Sequence, residues 1–219
     1  MEKHLILDYL NFNQPFDFGG QKRHSTLVAA LKECRAITKR NCQTSQLDLT
    51  LKTGYPGNWL GAIGYLIILD QIGSCFKNIC TENKGKKENS IEFAVKSFAF
   101  EFMDNDSKKL HALIGLRNAF AHDFNLLNVN QKYISQQHRY TVYWNDSNTI
   151  VTLPENRWDG IVSEKNFNRL DDITLVNLFA LGNMVESIYC KIIEGVTKDV
   201  VTIQTDTKTL INKYTFITS

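Results

Sequence analysis

The residues best suited to chemistry lie in one short segment, 116–125, which reads LRNAFAHDFN. Arg117, Asn118, His122 and Asp123 stand there at or just beyond the end of an otherwise apolar stretch. If the segment is helical, the step from Arg117 to His122 is about 7.5 Å of rise and about 140° of rotation. Asn118 and His122, four apart, share a face. His111, seven before Asn118, lies on that face two turns earlier. Histidine titrates near neutrality and can give or take a proton. Arginine presents a fixed fork of donors matched to phosphate oxygens. An acid/base beside a phosphate clamp is the chemistry this spacing allows. The plainer alternative is that an arginine and a histidine near a helix C-terminus answer the negative end of its dipole. Spacing alone leaves both open.

Other candidates surround this strip. Asp70 interrupts the apolar run 59–72, WLGAIGYLIILDQI. A buried carboxylate needs a partner, and Arg117 is an obvious one. That pairing would orient the guanidinium, as outer partners orient metal ligands; a solvent-facing acid is the alternative. Asp123 reads as a loop residue able to pair with His122 or with an arginine of a second copy. Lys84, Lys86 and Lys87 form a basic loop that serves solubility or holds a nucleic-acid backbone. Tyr140, Tyr143, Trp144 and Trp158 could stack bases, fill one side of a small sheet or anchor a subunit contact. His4, His24 and His138 are scattered and read as surface residues. No His-Glu-x-x-His motif and no phosphate loop is present, and the glycines at 57, 61 and 64 suit close helix packing. No metal or cofactor is expected.

The string Arg117-Asn118-Ala119-Phe120-Ala121-His122 resembles the R-x(4–6)-H motif of the HEPN superfamily of helical nucleotide-binding domains. The likeness extends over residues 25–195 and is sharp over 110–125. It implies a metal-independent endoribonuclease, a toxin or antiviral defence effector, whose homodimer faces two motifs across one cleft. Arg117 would then neutralise the scissile phosphate, and His122 would move protons at the ribose 2′-hydroxyl or the leaving 5′-oxygen. Asn118 would orient His122 or the phosphate, with Asp70, His111 and Asp123 as supporting residues. The partners implied are RNA, a second copy of the chain, and an antitoxin or regulatory protein. A non-catalytic module binding nucleotide, RNA or a protein is the alternative.

The elements that must position these residues are mostly helical by period. Apolar spacing predicts helices over residues 25–42, 58–80, 91–103 and 107–121, and a last long one over 171–194. Asn58 is the expected cap of the second. Alternation at 140–144 and 150–153, joined by polar residues 145–148, predicts a β-hairpin, with 158–162 extending its sheet. The expected fold is thus mainly α, an up-and-down bundle of four to five helices with a hairpin inserted near 138–163 before the last helix. Residues 1–22 read as an N-terminal arm, 23–198 as the domain, and 199–219 as an extended tail.

Composition narrows the class. The 219 residues carry 25 Lys and Arg against 23 Asp and Glu, a net charge of +2, and 43% are hydrophobic. Such balance supports a folded core and argues against a bulk polyanion binder, while a small nucleic-acid site needs only local charge. Five cysteines without a CxxC pair read as reduced thiols of a cytosolic protein. The apolar run 59–72 is shorter than the roughly 20 residues of a membrane span, and the N-terminus lacks an export signal.

Overall fold

The computed structural model describes residues 2–13, 15–40, 59–80, 89–123, 125–129, 137–161 and 169–217, the side chains of His122 and Asp123 excepted. The chain begins with α1 (Glu2–Tyr9), β1 (Phe16–Phe18) and β2 (Gln21–Ser25). Ser25 ends β2 in an extended conformation and accepts a hydrogen bond from the Val28 amide, which starts α2 (Thr26–Ile37). Next come α3 (Trp59–Cys75), β3 (Phe76–Asn78), α4 (Ser90–Phe98), a 3-10 turn (Phe100–Met103) and α5 (Ser107–Asp123). Four strands follow: β4 (Leu127–Asn128), β5 (His138–Tyr143), β6 (Val151–Thr152) and β7 (Ile173–Asn177). The chain closes with α6 (Leu178–Thr197), β8 (Val201–Ile203), α7 (Thr207–Tyr214) and β9 (Thr215–Ile217).

This corrects the expectation of a mainly α bundle. The described residues hold seven α-helices and nine strands in three sheets, a mixed α/β fold. The hairpin is also corrected. β5 and β6 do not pair; the sheet order is β4-β5-β7-β6. β7 lies between them, parallel to β5 from Arg139↔Ile173 to Tyr143↔Asn177 and antiparallel to β6 at Val151↔Val176. The cause is the segment Ile-Thr-Leu-Val-Asn, rich in β-branched residues, which takes strand form where a helix is expected. Asn177 then accepts from the Phe179 amide, so the last helix starts at Leu178. Trp158–Ile161 carry no strand, and Val162 lies outside the described residues, as does Asn58.

The two ends join the body. β2 pairs with β1 on one side and β9 on the other, while β8 pairs with β3. Tyr9 and Leu10 are buried, and the tail contains α7, capped by Asp206. The helix expected over 58–80 ends at Cys75 because Phe76–Asn78 pair with Val201–Ile203. The stretch 91–103 divides at Ala99 into α4 and the 3-10 turn.

α3 is the central helix. Tyr65, Leu66, Ile68, Leu69 and Ile72 are fully buried, and it packs on α2, α4, α5 and α6. A β-carbon on Gly64 would stand 2.3 Å from Cys34 Sγ, so the missing side chain is what lets α2 approach. Arg35 on α2 is charged yet only 4% exposed. It donates from Nε and Nη2 to the Glu186 carboxylate on α6 at 2.8 and 2.7 Å. Phe12 lies over the guanidinium at 4.1 Å. Arg40 is buried too, donating to Phe179 O and Asn183 Oδ1. Arginine can enter a core when its planar fork meets a carboxylate in two places.

Candidate functional site: the α3–α5 surface

α5 is anchored by its buried side. Leu110, Ala112, Leu113 and Leu116 are fully buried, and Tyr140 donates to the Ala112 carbonyl at 2.7 Å. Burial without a charged partner pushes the Tyr140 hydroxyl pKa well up, so it stays a neutral donor. The sequence offers Tyr140 for base stacking, sheet filling or a subunit contact; its position does not signal that it pins the backbone just ahead of Arg117.

Arg117 and Asn118 are half-buried. Arg117 Nη2 donates to Asp70 Oδ2 at 2.6 Å, with the side chains 33% and 29% exposed. The structure thus decides between the two readings of Asp70 in favour of the ion pair. Arg117 Nη1 also approaches Asn118 Oδ1 at 3.5 Å, a weak contact. A guanidinium has five N–H donors, so engaging Asp70 through one nitrogen does not exhaust its capacity for phosphate oxygens.

Asp70 is held by the turn it sits on. Its neighbour Gln71 donates from Nε2 to Tyr9 Oη at 2.8 Å and to Thr26 Oγ1 at 3.0 Å. Toward the start of α3, the line that leads to Asp70 carries the exposed apolar residues Leu60 and Ile67 and the half-buried Ile63. Trp59 meets Phe120 edge-on at 5.9 Å, closing the other end of the contact between α3 and α5. The site is therefore an ion pair at one end of an apolar strip, with the C-terminal turn of α5 alongside.

The backbone of α5 continues through Asp123, so His122 stands one turn after Asn118 on the same helix. Its side chain, that of Asp123, and the residues Lys84, Lys86 and Lys87 lie outside the described residues. His111 is on α5 and half-buried. Of the aromatic candidates, Tyr140 and Trp158 are buried and Tyr143 is half-buried. Trp144 remains 46% exposed, edge-on to Phe179 at 5.7 Å. His138 Nδ1 is 2.8 Å from Thr174 Oγ1, and His24 stacks on Phe216.

Among the described residues no three His, Cys, Asp or Glu side chains converge as a metal-binding group. Among them, too, no helix is long and apolar enough to cross a membrane. No family model, no curated protein and no solved structure matches the chain.

Proposed function

We propose that the protein is a metal-independent endoribonuclease of the HEPN type, acting in the cytoplasm as a toxin or antiviral defence effector. The observation that carries this reading is the part-exposed Arg117 guanidinium, oriented by Asp70 at 2.6 Å and one helical segment ahead of His122. The reading rests on the 116–125 segment and this pair rather than on the architecture.

In the reaction the ribose 2′-oxygen attacks the adjacent phosphorus. The new P–O2′ bond forms as the P–O5′ bond breaks. A histidine takes the 2′-hydroxyl proton and a protonated histidine supplies one to the departing 5′-oxygen, leaving a 2′,3′-cyclic phosphate and a 5′-hydroxyl. Two His122 side chains, one from each copy of a homodimer, would serve as base and acid. Arg117 gains most in the transition state, where charge grows on the phosphoryl oxygens. Proton transfer by a placed histidine contributes typically about 10²–10⁴-fold. DNA lacks the attacking hydroxyl, which selects RNA. The exposed Ile67, one turn before Asp70, and Leu60, nearer the start of α3, suit contact with a second copy.

One observation favours the second reading, a non-catalytic module that binds nucleotide, RNA or a protein. The Asp70 carboxylate offsets the charge that Arg117 would offer a phosphate. The deciding experiment measures RNA cleavage by wild type, Arg117→Ala and His122→Ala with EDTA present. The nuclease reading expects cleavage to a cyclic phosphate by wild type alone. Equal rates in all three, or loss of wild-type cleavage on adding EDTA, would overturn it.

A further inference from the structure

The rotation of α3 about its own axis decides whether Asp70 can reach Arg117. A side-chain atom about 5 Å from a helix axis moves about 2 Å when the helix turns by about 20°. That is enough to take the 2.6 Å contact between Asp70 Oδ2 and Arg117 Nη2 past the length of a hydrogen bond. Burial alone does not hold the rotation so closely. α3 is as apolar on its outer side, at Leu60, Ile63 and Ile67, as on its inner side, at Leu66, Leu69 and Ile72. A helix without a polar face gains little by presenting one side rather than another. Apolar volume alone also gives a fold before it gives a single arrangement.

Three polar side chains of α3 supply what burial lacks. Tyr65, Asp70 and Gln71 leave the axis in directions separated by about 140°, 100° and 120°, at about 100° per residue. Tyr65 Oη is 3.0 Å from Thr38 Oγ1, just past the end of α2. Gln71 Nε2 donates to Tyr9 Oη at 2.8 Å and to Thr26 Oγ1 at 3.0 Å. One amide group thus ties α3 to α1 and to the first turn of α2. Both acceptors are themselves fixed. Tyr9 is fully buried and also bonds the Ser25 side chain. The Thr26 hydroxyl donates to Tyr214 O at 3.0 Å, which leaves its lone pairs to face Gln71. Polar contacts between apolar surfaces fix register in this way, as a buried asparagine does in a coiled coil.

We propose that Gln71 is a positioning residue of the α3–α5 site. Through Tyr9 and Thr26 it sets the rotation of α3 and so holds Asp70 against Arg117. The N-terminal helix thereby takes part in the site without contributing a group to it. The consequence for cleavage rests on the nuclease reading above; the positioning itself does not.

The test uses the full chain carrying Gln71→Met, which keeps length and helix propensity but cannot donate. Tyr9 keeps Ser25 and Thr26 keeps Tyr214, so neither hydroxyl is orphaned. Tm should then fall by no more than about 4 °C. Urea unfolding of Asp70→Asn, Arg117→Ala and the double variant measures the coupling of the pair, up to about fivefold in the unfolding constant. The same cycle built on Gln71→Met should show no coupling. Tyr9→Phe removes one acceptor instead; it should lower the coupling part-way, and it takes the place of Gln71→Met if that variant does not fold. In RNA cleavage, kcat of Gln71→Met should fall about tenfold with KM little changed, through the same loss of Arg117 orientation as in Asp70→Asn. Adding Asp70→Asn should then change the rate little further. A side chain that only stabilises the fold would lower Tm and leave the coupling at its wild-type value. That result, or full additivity of Gln71→Met with Asp70→Asn in cleavage, would overturn the proposal. Because the coupling is read from unfolding, absent cleavage would sink the nuclease and leave the positioning to be decided by the cycle.

Discussion

Replacing Asp70 by asparagine separates an oriented Arg117 from one merely neutralised. Asp70 Oδ2 lies 2.6 Å from Arg117 Nη2, and each side chain is about a third exposed. Two unit charges at 4 Å attract by about 4 kcal/mol at an effective dielectric of 20. Solvent screening and side-chain entropy bring exposed pairs down to about 0–1 kcal/mol, so this pair should stabilise the fold by only about 1 kcal/mol. Its larger effect is on geometry. An arginine side chain carries about 2 kcal/mol of rotamer freedom. An Arg117 released by Asp70→Asn must lose that freedom again when it meets phosphate. At 1.36 kcal/mol per decade, the expected fall in kcat/KM is about 10- to 30-fold. Arg117→Ala removes the donor itself and should cost about 10²–10³-fold, as removal of other transition-state donors does. Because Asp70 is expected to act through Arg117, adding Asp70→Asn to Arg117→Ala should change the rate little further, a non-additive cycle. The assay is the initial rate of cleavage of a fluorogenic RNA in EDTA, with Asp70→Glu as a partial rescue. Unchanged or raised activity in Asp70→Asn would refute the orienting role, because Asp70 would then only compete with phosphate. Full additivity in the double variant would refute it equally.

Three other outcomes follow from the packing. Glu186→Gln leaves the buried Arg35 guanidinium without its charge partner; it should destabilise by about 3–5 kcal/mol and lower Tm by about 10 °C for a chain of this size. A melt within 2 °C of wild type would contradict this, whereas the paired change Arg35→Met with Glu186→Leu should recover most of the loss. Gly73→Ala would place a β-carbon 1.7 Å from the Ser90 carbonyl oxygen, so α3 and the start of α4 must separate. Urea unfolding should show a loss of about 1–3 kcal/mol or more, and a gain, as expected from helix propensity alone, would refute the close approach. Burial pushes the Cys34 and Cys75 thiols up to about 12, while Cys80 is exposed. Iodoacetamide at pH 8 followed by peptide mass mapping should therefore find Cys80 alkylated in the native protein and Cys34 and Cys75 only after unfolding; early labelling of Cys34 would show that α2 opens from Gly64.

Much of the candidate site is legible in the sequence because it is local. Arg117, Asn118 and His122 lie on one helix, and helical geometry fixes their spacing before any packing is known. Asp70 is legible as an acid in an apolar run, but two readings of it stand until α3 and α5 are seen to cross. The pinning of α5 by Tyr140 and the burial of Arg35 leave no local trace, since each depends on a partner 28 or 151 residues away. Residues 173–177 mislead for a related reason. Their apolar residues extend the period of α6, yet a place between β5 and β6 gives their amides a ladder on both sides.

The amino-acid order alone therefore determined where α2 begins, that α3 is apolar nearly all round, and that a proton carrier and a cationic fork share α5. These follow from side-chain size, polarity and the 3.6-residue turn, which act over a few neighbours. Only the tertiary structure decided that Asp70 meets Arg117, that β7 separates two strands expected to pair, and that the two ends of the chain form one sheet. Those outcomes depend on contacts distant along the chain, where burial and backbone hydrogen bonding outweigh local preference.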